Sequence, residues 1–196
     1  MSAPAKLNFK VYQGSTFSEV LRWESGRKLY KSITAITQAA PCVVTAPSHA
    51  VPDGWRVKVT NVGGMTDINS TENYIIATPL TIDTIELNSV NSLGYKAYTT
   101  GGVVEYNEPV SLTGYTARMQ LRTKVESTEV IDELTTENGG IIIDTANYNI
   151  TLNISAADTA LYSFANPAVY SLEMISGSTV VPYSNGTITL VKEVTR

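Results

Sequence analysis

The chain has almost none of the residues that usually carry chemistry. Of its 196 residues, one is cysteine and one is histidine. A lone Cys42 closes no intrachain disulfide, so no disulfide framework holds the fold. With His49 as the only imidazole, zinc held by a His/Cys cluster is excluded. Any Ser–His triad would have to rest on His49 alone, and no serine sits in a G-x-S-x-G elbow. Charged residues make up only 16% of the chain, and the net charge is −4. A nucleic-acid partner demands a basic face, so none is expected. No apolar run approaches the ~20 residues of a membrane-spanning helix. The start, MSAPAKLNFKVYQG, lacks the basic and apolar regions of a signal peptide. The expectation is a protein made and kept in a cytoplasm or released by lysis, with no membrane partner. Heptads and long amphipathic helices are missing too.

What the chain has is strand-forming material. Apolar residues reach 43%, and Thr, Tyr, Val and Ile are abundant, which favours strands over helices. The length suits one large or two small domains. Leu7, Phe9 and Val11 share one strand face by period two, and Phe17–Trp23 is a second strand candidate. Gln13-Gly14-Ser15 and Ser25-Gly26 are turn signals.

Between Ile33 and Tyr106 the candidates are Cys42–Thr45, Trp55–Thr60, Tyr74–Ala77, Thr84–Leu87 and Gly102–Tyr106. Pro52-Asp53-Gly54, Gly63-Gly64 and Gly101-Gly102 separate them, supplying the fixed and the positive φ that turns need. This spacing suggests a small barrel or sandwich.

From Asn107 onward the alternation is clearest. Tyr115, Ala117, Met119 and Leu121 lie on one face. Tyr148, Ile150, Leu152 and Ile154 do the same, and Ile141–Ile143, Ala168–Met174 and Thr187–Val194 complete the strands. Ser155 can cap a helical turn, with Asp158 at the capping-box offset.

Candidate chemistry is sparse. Cys42 fits a buried small hydrophobe, and His49, in PSHAVPDG, a loop residue. Asp132 with Glu133, or Asp67 with Glu72, could form a carboxylate pair, but solvated turn residues account for them better. Asp67-Ile68-Asn69 has the donor spacing of a calcium loop's start without its Gly and terminal Glu. Glu19 and Glu24 beside Trp23 suggest a sugar site, though a Trp ending a sandwich strand is more often core. Eleven tyrosines against three phenylalanines put many rings with a polar handle on offer, and such rings favour interfaces. Tyr12, Tyr30, Tyr95, Tyr98, Tyr106 and Tyr183 are the candidate interface residues. No catalytic residue, cofactor or metal is expected.

The segments VYQGSTFSEVLRW (11–23), SLTGYTARMQLR (111–122), NGGIIID (138–144), ITLNISAADTALY (150–162), YSLEM (170–174) and GTITLVKEVTR (186–196) occur in order. Together they resemble the N-terminal immunoglobulin-like domain of phage upper-baseplate proteins (BppU-like). In that family the Trp strand runs through a short Gly turn into the LTGYTA segment; here about eighty residues intervene. The intervening VVTAPSHAVPDGWRVKVTNVGGMTDINSTENYII (43–76) and IELNSVNSLGYKAYTTGGVV (85–104) resemble the small FCCH-like β-barrel of ubiquitin-activating enzymes, which also occurs in phage structural proteins. No nucleotide-binding glycine motif accompanies it, so ubiquitin chemistry is not expected.

The resemblances imply an all-β chain. A discontinuous immunoglobulin-like β-sandwich would comprise 1–32 and 107–196, and an inserted small barrel 33–106. They further imply a non-catalytic virion protein, assembled in the host cytoplasm. It would join tail, baseplate, fibre or neck components in symmetric copies, as a homo-oligomer within the particle. The alternatives are a capsid-decorating or head–tail connector protein and a host-glycan-binding module. A glycan site would need rings in a row, with Trp23 and Trp55 as candidates. The chain ends at Arg196 directly after a strand, with no shaft following, which favours an adaptor over a fibre.

Overall fold

The computed structural model describes residues 3–69 and 74–193; Glu72 and the Val194 end of the last expected strand lie outside them. The chain is all-β. In chain order, the first strands are β1 (Ala5–Lys6), β2 (Phe9–Tyr12), β3 (Phe17–Arg22), β4 (Glu24–Ser32) and β5 (Ala35–Ile36). They are followed by β6 (Cys42–Thr45), β7 (Trp55–Gly63), a 3-10 turn (Thr66–Ile68), β8 (Ile75–Pro79), β9 (Thr84–Leu87) and β10 (Thr100–Pro109). The last elements are β11 (Thr116–Arg122), β12 (Asp132–Thr135), β13 (Ile141–Asp144), β14 (Asn149–Ile154), the helix α1 (Ala156–Leu161), β15 (Ala168–Ser176) and β16 (Thr179–Val191). No helix among the described residues is long and apolar enough to cross a membrane.

Two compact units make up the chain: Met1–Trp23 with Ser111–Arg196, and Glu24–Val110. This corrects the expected boundaries at 32/33 and 106/107. β4, read from sequence as part of the first unit with a turn at Gly26, instead pairs along β10, from Val103↔Ser32 to Pro109↔Glu24. Gly26 does not end the strand because Ser25–Arg27 form a bulge opposite Glu108. The Glu108 carboxylate clasps that bulge, accepting from Ser25 Oγ at 3.3 Å and Arg27 Nε at 2.6 Å.

The first unit is a β-sandwich. Its larger sheet runs β1-β16-β15-β11-β12, with β2 also on β16, and its smaller sheet runs β13-β14-β3. Alternation places Ala117, Met119, Leu121, Leu172, Met174 and Ile188 of one sheet against Leu21, Ile141, Ile150, Leu152 and Ile154 of the other. Each fully buried aliphatic side chain contributes roughly 1.5–3 kcal/mol. β1 and β2 run parallel to β16, so the start of the unit is stitched to its end. Ser155 caps α1 as its spacing predicts, its Oγ accepting from Asp158 N at 3.1 Å.

The second unit is one rolled sheet in the order β4-β10-β7-β8-β9-β6-β5. Its two end strands are consecutive in the chain. The residues between them show the closure: Ile33 N donates to Gly102 O and Thr34 N to Thr45 O, both at 2.9 Å. Adjacent residues thus bond to opposite neighbours, and one continuous stretch closes a small barrel. Val44, Trp55, Val57, Val59, Ile85, Leu87, Val104 and Tyr106 are wholly buried in this unit.

Candidate functional site

Several side chains that could have done chemistry are occupied by the fold. His49 is 2% exposed. Its Nδ1 accepts from Val51 N at 3.0 Å and its Nε2 donates to Thr81 O at 2.9 Å. Val51 N can only donate and Thr81 O can only accept, so the ring proton sits on Nε2 and both nitrogens are engaged. Cys42 is wholly buried; burial pushes its thiol up, away from the thiolate a nucleophile needs. Asp132 accepts from Tyr162 Oη and, at 2.7 Å, from Glu133 N. Glu133 accepts from Gln120 Nε2 at 2.6 Å. Successive strand residues point to opposite faces, so the two carboxylates do not converge. Burial first, and then the Asp132 carboxylate, push the Tyr162 hydroxyl far above its usual range.

The calcium-like and sugar-like groupings dissolve in the same way. Asn69 spends its side chain on Val62, accepting from its N at 2.8 Å and donating to its O at 3.0 Å. Among the described residues no group of three His, Cys, Asp or Glu is placed to hold a metal. Trp55 is wholly buried and donates from Nε1 to Asn107 O at 2.9 Å. Trp23 is half-buried, edge-on to Tyr115 and Tyr183 with centroids 5.5 and 5.6 Å away. Trp55 therefore offers no stacking platform. Glu24 belongs to the barrel, where Arg56 Nη2 at 2.9 Å and Asn107 Nδ2 at 2.6 Å hold it. Glu19 is exposed on β3, across from Leu152.

The tyrosines divide differently from the expectation. Tyr106 is wholly buried and donates to His49 O at 2.6 Å; it is core, not surface. Tyr98 donates to Ile33 O at 3.1 Å, pinning the barrel seam. Tyr183 donates to Arg22 O at 2.9 Å, and Tyr170, not singled out by the sequence, to Leu7 O at 3.0 Å. Each ring ties its own segment to one far away in sequence. Tyr95 is half-buried. Only Tyr12 (58% exposed) and Tyr30 (60%) present most of their rings to solvent, one in each unit.

The sandwich edges carry the clearest asymmetry. At β12, Glu133 N is held by the Asp132 side chain and Glu133 O by Asn138 Nδ2 at 2.8 Å. Those contacts blunt the edge against a further strand. β1 and β2 are two and four residues long and broken between Lys6 and Phe9. β13 is also four residues long, and its entry is fixed by Asn138 Oδ1, which accepts from Gly140 N at 2.9 Å. β3 is longer, six residues without Gly or Pro. Among the described residues it pairs only with β14, and Ser18, Glu19 and Val20 along it are exposed. Sequence reading did not single out this edge, because pairing partners are set by the fold.

The chain matches no protein-family model and no curated protein sequence at a significant level.

Proposed function

We propose that this chain is a non-catalytic virion structural protein of a phage. It joins neighbouring components of the tail, baseplate or neck, and β3 is the edge on which a partner strand is received. The observation that carries the reading is the contrast between β3 and β12. Among the described residues one long edge stands without a second strand, with its Arg22 carbonyl accepting from Tyr183 Oη, while the opposite sheet's edge is blunted at both the N–H and the carbonyl of Glu133. Strand addition at such an edge gives affinity through main-chain hydrogen bonds and specificity through alternate side chains. The exposed Val20 and the partly exposed Arg22 on the outer face of β3 would meet those side chains. Repeated copies would add multivalency, so a weak single contact suffices.

Two further considerations support it. The segments quoted for the upper-baseplate resemblance supply strands to the sandwich. His49 and Asp132 are engaged internally, and Cys42 is buried. Mass spectrometry of purified particles of the phage that encodes the chain tests the reading. The chain is expected in stoichiometric amounts, and its absence from the particle overturns the proposal. The double variant Ser18→Lys/Val20→Lys, which leaves the core untouched, is expected to fold but to fail to enter particles.

A further inference from the structure

The outer face of the larger sandwich sheet holds a groove of about 550 Å³, within the size range of ligand sites. Strand register explains its lining. Gln120, Ser171, Asn185 and Lys6 stand side by side across β11, β15, β16 and β1, with Arg122, Val169 and Thr187 in the next row. These are the outward positions of strands whose inward positions fill the core, so the face is polar by alternation.

The charged side chains that line the groove are basic. The chain carries a net −4, yet no described lining residue is acidic. Arg27, Arg56 and Arg118 each hold a glutamate. Among the described residues neither Lys6 nor Arg122 has a carboxylate partner. Arg122 is oriented instead by neutral acceptors, the Ser127 carbonyl at 2.5 Å and Gln120 Oε1 at 2.7 Å. Of the neighbouring carboxylates on this face, Glu173 is paired with Arg118, while Glu133 is turned to the neutral amide of Gln120 and keeps its charge. Lys6 and Arg122 lie three strand spacings apart, roughly 14 Å at the backbone. Between them the groove offers amide and hydroxyl groups.

We propose that this groove binds an extended acidic saccharide. Its anionic groups would face Lys6 and Arg122, and its hydroxyls would bond to Ser171, Asn185 and Thr187. A ligand with one charge would engage only one end. A peptide fits less well: β11, β15 and β16 are each paired on both sides, so no main-chain groups are left to receive one. The assignment does not depend on the attachment role of β3, which lies in the other sheet.

Titration of the full-length ¹⁵N-labelled protein tests it, using tetragalacturonate, a sialic-acid tetramer and a heparin tetrasaccharide as probes. At least one should shift the side-chain NH₂ signals of Gln120 and Asn185, while the matching monosaccharide and neutral maltotetraose do not. Lys6→Gln and Arg122→Gln should each weaken binding about fivefold or more. Lys6 is exposed, so its variant tests the site even if the Arg122 variant misfolds. The proposal is overturned if no acidic oligosaccharide shifts those signals, if the Lys6 variant binds equally well, or if hexaglutamate or maltotetraose binds as well as the acidic sugars.

Discussion

The carbonyl oxygen of Leu7 lies against the backbone of Gly186, where a Cβ would overlap it. The same oxygen accepts from Tyr170, and Leu7 N donates to Asn185 O at 2.9 Å. Here the N-terminal segment crosses from β1 to β2 while staying on β16. Asn8 secures the crossing, its Oδ1 accepting from Thr187 N at 3.0 Å. Gly186→Ala should therefore cost at least about 2 kcal/mol in urea denaturation, since backbone must shift on one side. An unchanged midpoint would show that the crossing is loose.

The sandwich takes β1, β2 and β3 from one side of the barrel segment and all its other strands from the other side. A fragment spanning 111–196 lacks Val11 and Leu21, two members of the core. It should show no cooperative melting, whereas a fragment spanning 24–110, with its own closed sheet and core, should melt cooperatively. Calorimetry of the two fragments checks both statements.

His49 braces a turn rather than a reaction. Its ring joins the segment before Val51 to the Thr81 turn, where Ile82 is 73% exposed. His49→Ala strands the buried Val51 N–H and removes the partner of the partly buried Thr81 carbonyl, and should destabilise the barrel by about 1–3 kcal/mol. A loss below about 0.5 kcal/mol would contradict the bracing role.

Three buried phenols give the fold an alkaline limit. Burial, as the first cause, raises Tyr106, Tyr162 and Tyr170 above the ordinary value. A group whose folded pKa is raised leaves stability fully present below its unfolded value, about pH 10. That stability is lost as the pH climbs toward the folded values, because only the unfolded chain releases these protons. Phenolate absorbance of the native protein should stop short of all eleven tyrosines. The remainder should rise together with loss of the circular dichroism signal. Complete ionisation with the fold intact would contradict the burial.

Much of this architecture can be read along the chain where one face is buried. β11 and β14 announce themselves through Ala117-Met119-Leu121 and Ile150-Leu152-Ile154, because period-two alternation reports a half-buried strand directly. β9 falls on the expected Thr84–Leu87. β12 and β4 do not show. Asp-Glu-Leu-Thr buries one side chain fully, and Glu24–Ser32 buries none, so partners rather than pattern hold them as strands. β16 begins at Thr179 and passes Pro182, which reads as a break. The ladder absorbs it through a register shift beside Leu172/Glu173. The tyrosines misled for a related reason: a ring with a hydroxyl serves an interface or a buried backbone carbonyl equally well, and only the fold decides which. The open side of β3 and the groove beside Arg122 depend on which strands become neighbours, which no local stretch encodes.

The proposed attachment role is tested most directly by cryo-electron microscopy of the intact virus particle in which it would place this chain. The account predicts the sandwich at symmetry-related positions, with a strand of a neighbouring virion protein laid along Phe17–Arg22. A particle in which the chain is present but β3 faces solvent or bulk density without a paired strand would contradict it.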